Sequence, residues 1–170
     1  MVSCPTGCAV MTVPLTEMGK SQAINIPLPM KSDLTGASVV FKVRAVGTGG
    51  GIQVAVQNGE PDFKSAGFEA ANYKNVSDFT AAFTDITLNV DTSAAANTGF
   101  DKTMVTQLVV QIAAGMMGPW RNPTILYIDS ITFTGGTQTL PAIEFMTDAM
   151  PATLSTYMPV TGSTLTHQGP

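Results

Sequence analysis

Two cysteines, one histidine and a scatter of carboxylates are the side chains best suited to a reactive centre. Cys4 and Cys8 stand in Cys-Pro-Thr-Gly-Cys. Three intervening residues, proline and glycine among them, let the chain bend back to a short disulfide. Free thiols are the other reading, and a metal site would need two further ligands nearby. The histidine, His167, lies far away in sequence, and no G-x-S-x-G elbow accompanies it. Glu60, Asp62, Glu69, Asp78, Asp85, Asp91 and Asp101 offer many carboxylate pairs. They read as solvated charges rather than as the two carboxylates of a glycosidase cleft. Gly49-Gly50-Gly51 lacks the Lys-Ser/Thr and the helix of a phosphate loop. The expectation is a chain without catalytic activity.

Recognition by amides is better represented. In 39–45, Val39, Phe41, Val43 and Ala45 alternate with Val40, Lys42 and Arg44. In 52–57, Ile52, Val54 and Val56 oppose Gln53, Ala55 and Gln57; in 107–112, Leu108, Val110 and Ile112 oppose Gln107, Val109 and Gln111. Period-two alternation gives each strand one core face and one polar face. If the three share a sheet, its outer face carries Lys42, Arg44, Gln53, Gln57, Gln107 and Gln111. Long amides and a guanidinium on such a face can hydrogen-bond sugar hydroxyls; an ordinary solvated face is the alternative. Rings stack on pyranose faces, and Trp120, in a proline-flanked loop, is the best platform by type. Its alternative is a loop residue folded onto the edge of the domain.

These residues need strands to hold them. Runs rich in β-branched residues occupy 9–15, 22–28, 37–46, 52–57, 84–90, 104–113 and 124–134. Lys31 to Gly36 reads as a turn, and Gly47 to Gly51 as the tip of a hairpin joining 37–46 to 52–57. Residues 58–82, with Phe63, Phe68, Tyr73 and Phe79 out of strict alternation, read as a long loop. About seven or eight short strands without an amphipathic helix predict a single all-β domain over 1–170, an antiparallel β-sandwich.

Charge narrows the partners. The net charge is −4, with only 8 Lys and Arg and no basic run, which argues against nucleic acid. No apolar stretch reaches the ~20 residues of a membrane helix. The N-terminus lacks the charged start and apolar block of a signal peptide, so the reading is a module excised from a larger secreted protein.

In order along the chain, DLTGASVVFKVRA, GGIQVAVQNG, TQLVVQIAAG and WRNPTILYIDSITFTG resemble the jelly-roll carbohydrate-binding modules of bacterial glycoside hydrolases. The resemblance covers residues 33–135. Its most specific part is the closing strand with Tyr127, Ile128, Asp129 and Ser130. It implies a two-sheet jelly roll that is secreted and binds polysaccharide or oligosaccharide on a concave sheet or at loop ends. It also implies a structural calcium, with Asp129 at the last-strand ligand position; pairing of Asp129 with a nearby backbone amide is the alternative. Phe63, Phe68 and Tyr73 lie where relatives often carry tryptophans.

One departure stands out. The family's opening strands have no counterpart before residue 9. Their likeness comes last, in Phe145, Met146, Thr147 and Asp148 and again in Thr161 to His167. Met146 stands where the family has glutamate. The segment 143–170 therefore either folds back to complete its own sandwich, completes a neighbouring molecule, or links to a second module. Self-completion is the preferred expectation, since it satisfies strand edges within one molecule. The functional expectation is carbohydrate binding through Trp120, Arg44, Gln53, Gln57 and Gln111. The alternative is a structural subunit joined by strand exchange of the C-terminal segment, so that the chain is either a monomer or a strand-exchanged oligomer.

Overall fold

The computed structural model describes residues 1–170 other than 1–3, 5–6, 48–49, 60–62, 69–72, 77–78, 80–81, 94–97, 117, 121, 146–153 and 158–159. The β-rich runs form β1 (Cys8–Val13), β2 (Ser21–Ser32), β3 (Ala37–Val46) and β4 (Gly50–Asn58), then the short β5 (Ser65–Gly67) and β6 (Lys74–Asn75). Three further strands are β7 (Thr84–Asn89), β8 (Val105–Ala114) and β9 (Thr124–Gly135). The C-terminal segment adds β10 (Ile143–Glu144), β11 (Ser155–Tyr157) and β12 (Thr164–Gln168). No α-helix occurs among the described residues.

Two antiparallel sheets result. The first runs β12-β1-β9-β3-β7 with β10 added on β9; the second runs β11-β2-β8-β4-β5 with β6 added on β4. They pack face to face as a β-sandwich, the fold expected from the alternation. Phe41 and Val43 from the first sheet and Val54, Val56, Leu108 and Ile112 from the second are fully buried in one core. Those are the side chains the period-two pattern turns inward.

The chain passes between the sheets at each step from β1 to β4. The predicted hairpin of 37–46 with 52–57 is therefore corrected: β3 and β4 belong to opposite sheets. Gly47 crosses at the end of the sandwich, where a Cβ would lie 2.7 Å from the Thr124 side chain. Local alternation orients a strand but does not choose its partner, so two adjacent strands with equal patterns separate without any violation of that pattern.

The predicted loop 58–82 holds β5 and β6, both paired to β4. At the far end of β4, Asn58 ties the sheet to the 3-10 turn Lys102–Met104. Its amide donates to the carbonyls of Asp101 (2.7 Å) and Met104 (3.0 Å), and its oxygen accepts from Asp101 N (2.8 Å). Asp101 caps the same turn by accepting from Thr103 N at 2.9 Å. This clasp holds the ends of β4 and β8 together, next to Gln57 and Gln107.

At the C-terminus, β12 lies antiparallel to β1 from Cys8↔Gln168 to Thr12↔Thr164. β11 pairs with β2, and β10 with β9. Phe145 and Val160 enter the core, and His167 Nε2 lies 2.8 Å from the Phe145 carbonyl. Met146, Thr147 and Asp148 of the family-like motif lie outside the described residues. Cys4 and Cys8 form a disulfide. It is buried against Val10 and Tyr127 in a small cluster apart from the main core. Tyr127 thus packs on the outside of the first sheet.

Candidate functional site

The outer face of the second sheet is built from small residues and amides. Across β4 and β8 the register pairs Gln53 with Gln111, Ala55 with Val109 and Gln57 with Gln107. β2 sets Ala23 beside Gln111 and Asn25 beside Val109. Alternation explains the composition: Ile24 and Ile26 turn into the core, which sends Ala23 and Asn25 outward. Ala23, Ala55 and Val109 form a buried apolar floor, and Phe68 packs against it.

Above this floor lies an open cavity of about 350 Å³. Gln57, Gln107 and Gln111 line it with Asn25, and Phe63 and Phe68 supply the apolar wall. The Gln107 amide donates to the Gln57 side-chain oxygen across the strand pair. None of the described lining residues carries a charge.

Both phenylalanines are held in left-handed backbone conformations, with φ of 43° at Phe63 and 50° at Phe68. Non-glycine residues there cost on the order of 1–3 kcal/mol each, and survive only where surrounding contacts hold them. The contacts are visible. Phe63 N donates to the Gly59 carbonyl (3.3 Å), Phe68 N to the Val54 carbonyl (3.2 Å), and Asn58 N to the Lys64 carbonyl (2.8 Å). Between them, Gly67 has φ of 108°, and an added Cβ would come 2.7 Å from the Ala55 Cα. The loop is thus pressed onto β4, which leaves Phe63 44% exposed at the rim.

A third ring lies farther along the same strand. Gly51 and Gln53 share the outward side of β4, and a Cβ on Gly51 would overlap the Tyr73 ring. Tyr73 therefore covers bare backbone, and burial pushes its phenol above the ordinary 10.0. Phe63, Phe68 and Tyr73 are the three aromatics noted at tryptophan positions of the resembling family.

The sandwich divides the sequence-predicted contact set. Gln53, Gln57, Gln107 and Gln111 share the second sheet. Lys42 and Arg44 lie on β3 in the first sheet, beside Ser130 and Tyr127. Outer faces of packed sheets are separated by at least the roughly 10 Å between the sheets. The single outer face carrying all six residues is accordingly corrected to two opposite faces. Trp120 packs partly buried against the main core and is absent from the cavity lining.

Asp129 occupies a bulge. β9 and β3 pair Ser130 with Lys42 and Ile128 with Val43, so the register steps over Asp129. The carboxylate is 5% exposed, lies 3.4 Å from Lys42 Nζ, and accepts from Ser130 Oγ at 3.1 Å. Calcium takes six to eight oxygen ligands. Among the described residues no group of three or more His, Cys, Asp or Glu that could hold a metal ion occurs. Of the carboxylates weighed for catalysis, Glu60, Asp62, Glu69 and Asp78 lie outside the described residues.

Ala23 and Asn25 were missed by the sequence reading, whereas Ala55 and Val109 already stood on the outward side of their strands. The signal was present in β2, where Ala23, Asn25 and Pro27 alternate with Gln22, Ile24 and Ile26. A scan against protein-family models matches no family, and a comparison with curated proteins finds no match.

Proposed function

We propose that this chain binds a saccharide, without catalysis, on the outer face of its second sheet. The observation that carries the reading is the cavity in which four neutral amides surround a buried Ala–Val floor walled by Phe63 and Phe68. A sugar ring has apolar C–H faces and a polar hydroxyl edge. Phenylalanine rings and the small-residue floor meet the faces, and amides meet the hydroxyls, each of which can donate and accept. The arrangement needs no charged group. The resemblance to carbohydrate-binding modules supports the same reading from the sequence side, and the Cys4–Cys8 disulfide suits a secreted protein.

Affinity electrophoresis against a panel of soluble plant and microbial polysaccharides tests it. Retardation of the wild-type chain that Phe68→Ala relieves is the expected result. A chain that no glycan retards would end the proposal.

A further inference from the structure

The Gln57–Gln107 pair sits at one end of the cavity, and its internal hydrogen bond has a direction. Gln107 Nε2 donates and Gln57 Oε1 accepts. A glutamine amide offers two N–H donors and one carbonyl acceptor. With the cross-strand bond made, Gln57 has its NH₂ to present and Gln107 has its carbonyl oxygen beside its second N–H. The two strands hold these groups side by side in direct register, and Asn58, the next residue on β4, is fixed to the 3-10 turn through three hydrogen bonds. The pair is a preset donor next to a preset acceptor.

We infer that this pair reads two neighbouring hydroxyls of an uncharged sugar and discriminates against glycans that place a carboxylate there. The inference rests on the saccharide reading above and names the ligand class within it. One hydroxyl accepts from Gln57 Nε2 and its neighbour donates to Gln107 Oε1. A carboxylate oxygen can accept from Gln57 but has no proton for Gln107, whose carbonyl would be desolvated without a partner. Sites built to hydrogen-bond a hydroxyl reject ligands that cannot complete the bond. The described lining carries no cation to compensate, and Lys42 and Arg44 lie on the opposite sheet.

The test is calorimetric titration of the full chain with neutral gluco-, manno- and xylo-oligosaccharides and with oligogalacturonides. At least one neutral series should bind, at least about tenfold more tightly than the uronate series, with little dependence on salt. Gln57→Glu provides the second arm. Its carboxylate still accepts from Gln107, so the cross-strand bond survives, but both ligand-facing N–H groups are gone. Neutral binding should weaken about tenfold or more, with the melting temperature near wild type. Oligogalacturonides binding as tightly as neutral chains would overturn the inference and leave saccharide binding standing. So would a Gln57→Glu chain with unchanged neutral affinity. If neither series binds the wild type, the saccharide reading itself fails and this inference with it.

Discussion

The ring of Tyr73 lies on the backbone of Gly51, in the space a β-carbon would fill. The contact fixes one end of the outer face that holds the glutamines. Gly51→Ala should displace the ring and cost about 1–3 kcal/mol of stability, the usual range for overpacking. It should also lower the Tyr73 pKa toward its ordinary value, because burial alone raises it. Ultraviolet titration of the tyrosines and thermal unfolding check the two effects. An unshifted titration would mean that the ring does not depend on Gly51.

The division of polar residues between two sheets separates their mutants. Gln111→Ala and Phe68→Ala should weaken polysaccharide retention, since both side chains line the cavity. Arg44→Ala and Trp120→Ala should leave retention unchanged wherever the fold is intact. Affinity electrophoresis with circular dichroism as the folding control distinguishes the groups. Loss of retention in Arg44→Ala alone would move the site to the first sheet.

Calcium chelation should leave the melting temperature unchanged, because the Asp129 carboxylate is already paired with Lys42 at 3.4 Å. A fall on adding chelator, reversed by calcium, would require a cation site that the described residues do not form.

Acid should weaken the fold at the corner where β2, β3 and the 3-10 turn meet. Asp91 is held below the ordinary 3.8 by Lys102 and then by the Gly36 amide. Asp33 is lowered by the Thr35 hydroxyl and amide, and Asp101 by those of Thr103. A carboxylate with a depressed folded pKa contributes stability above its unfolded pKa, and this is lost as pH falls through the folded value. Urea midpoints should therefore decline as pH drops below about 4. Asp91→Asn should shallow that decline.

Phe145 anchors the C-terminal segment in the core at 2% exposure. Phe145→Ala should cost about 3–5 kcal/mol. Deletion of 143–170 should cost more, because it also strips β12 from β1 and β11 from β2. Size-exclusion chromatography of the intact chain should give a monomer at every concentration. Concentration-dependent oligomers would instead favour exchange of this segment between molecules.

The inward and outward faces of β3, β4 and β8 were legible because period two is a local property of each strand. Phe41 and Val54 declare their side from their own neighbours. The sheet to which each strand belongs was not legible in the same way. β3 and β4 are close in sequence and equally patterned, yet they belong to opposite sheets, so Arg44 and Gln57 part company. The cavity wall was harder still. Phe63 and Phe68 sit in an irregular loop at positive φ, where neither alternation nor residue type announces direction. The glutamine pairs were visible as residues and became a site only through their register.

The pairing of Cys8 with Gln168 brings the start of β1 and the end of β12 to the same corner of the first sheet. A pulling force applied through these two residues would act across the strand pair rather than along it. The five backbone pairs from Cys8↔Gln168 to Thr12↔Thr164 would then open one after another, as a zipper does, instead of shearing together. Tethered through its ends, the domain should therefore yield at its β1–β12 seam under low load.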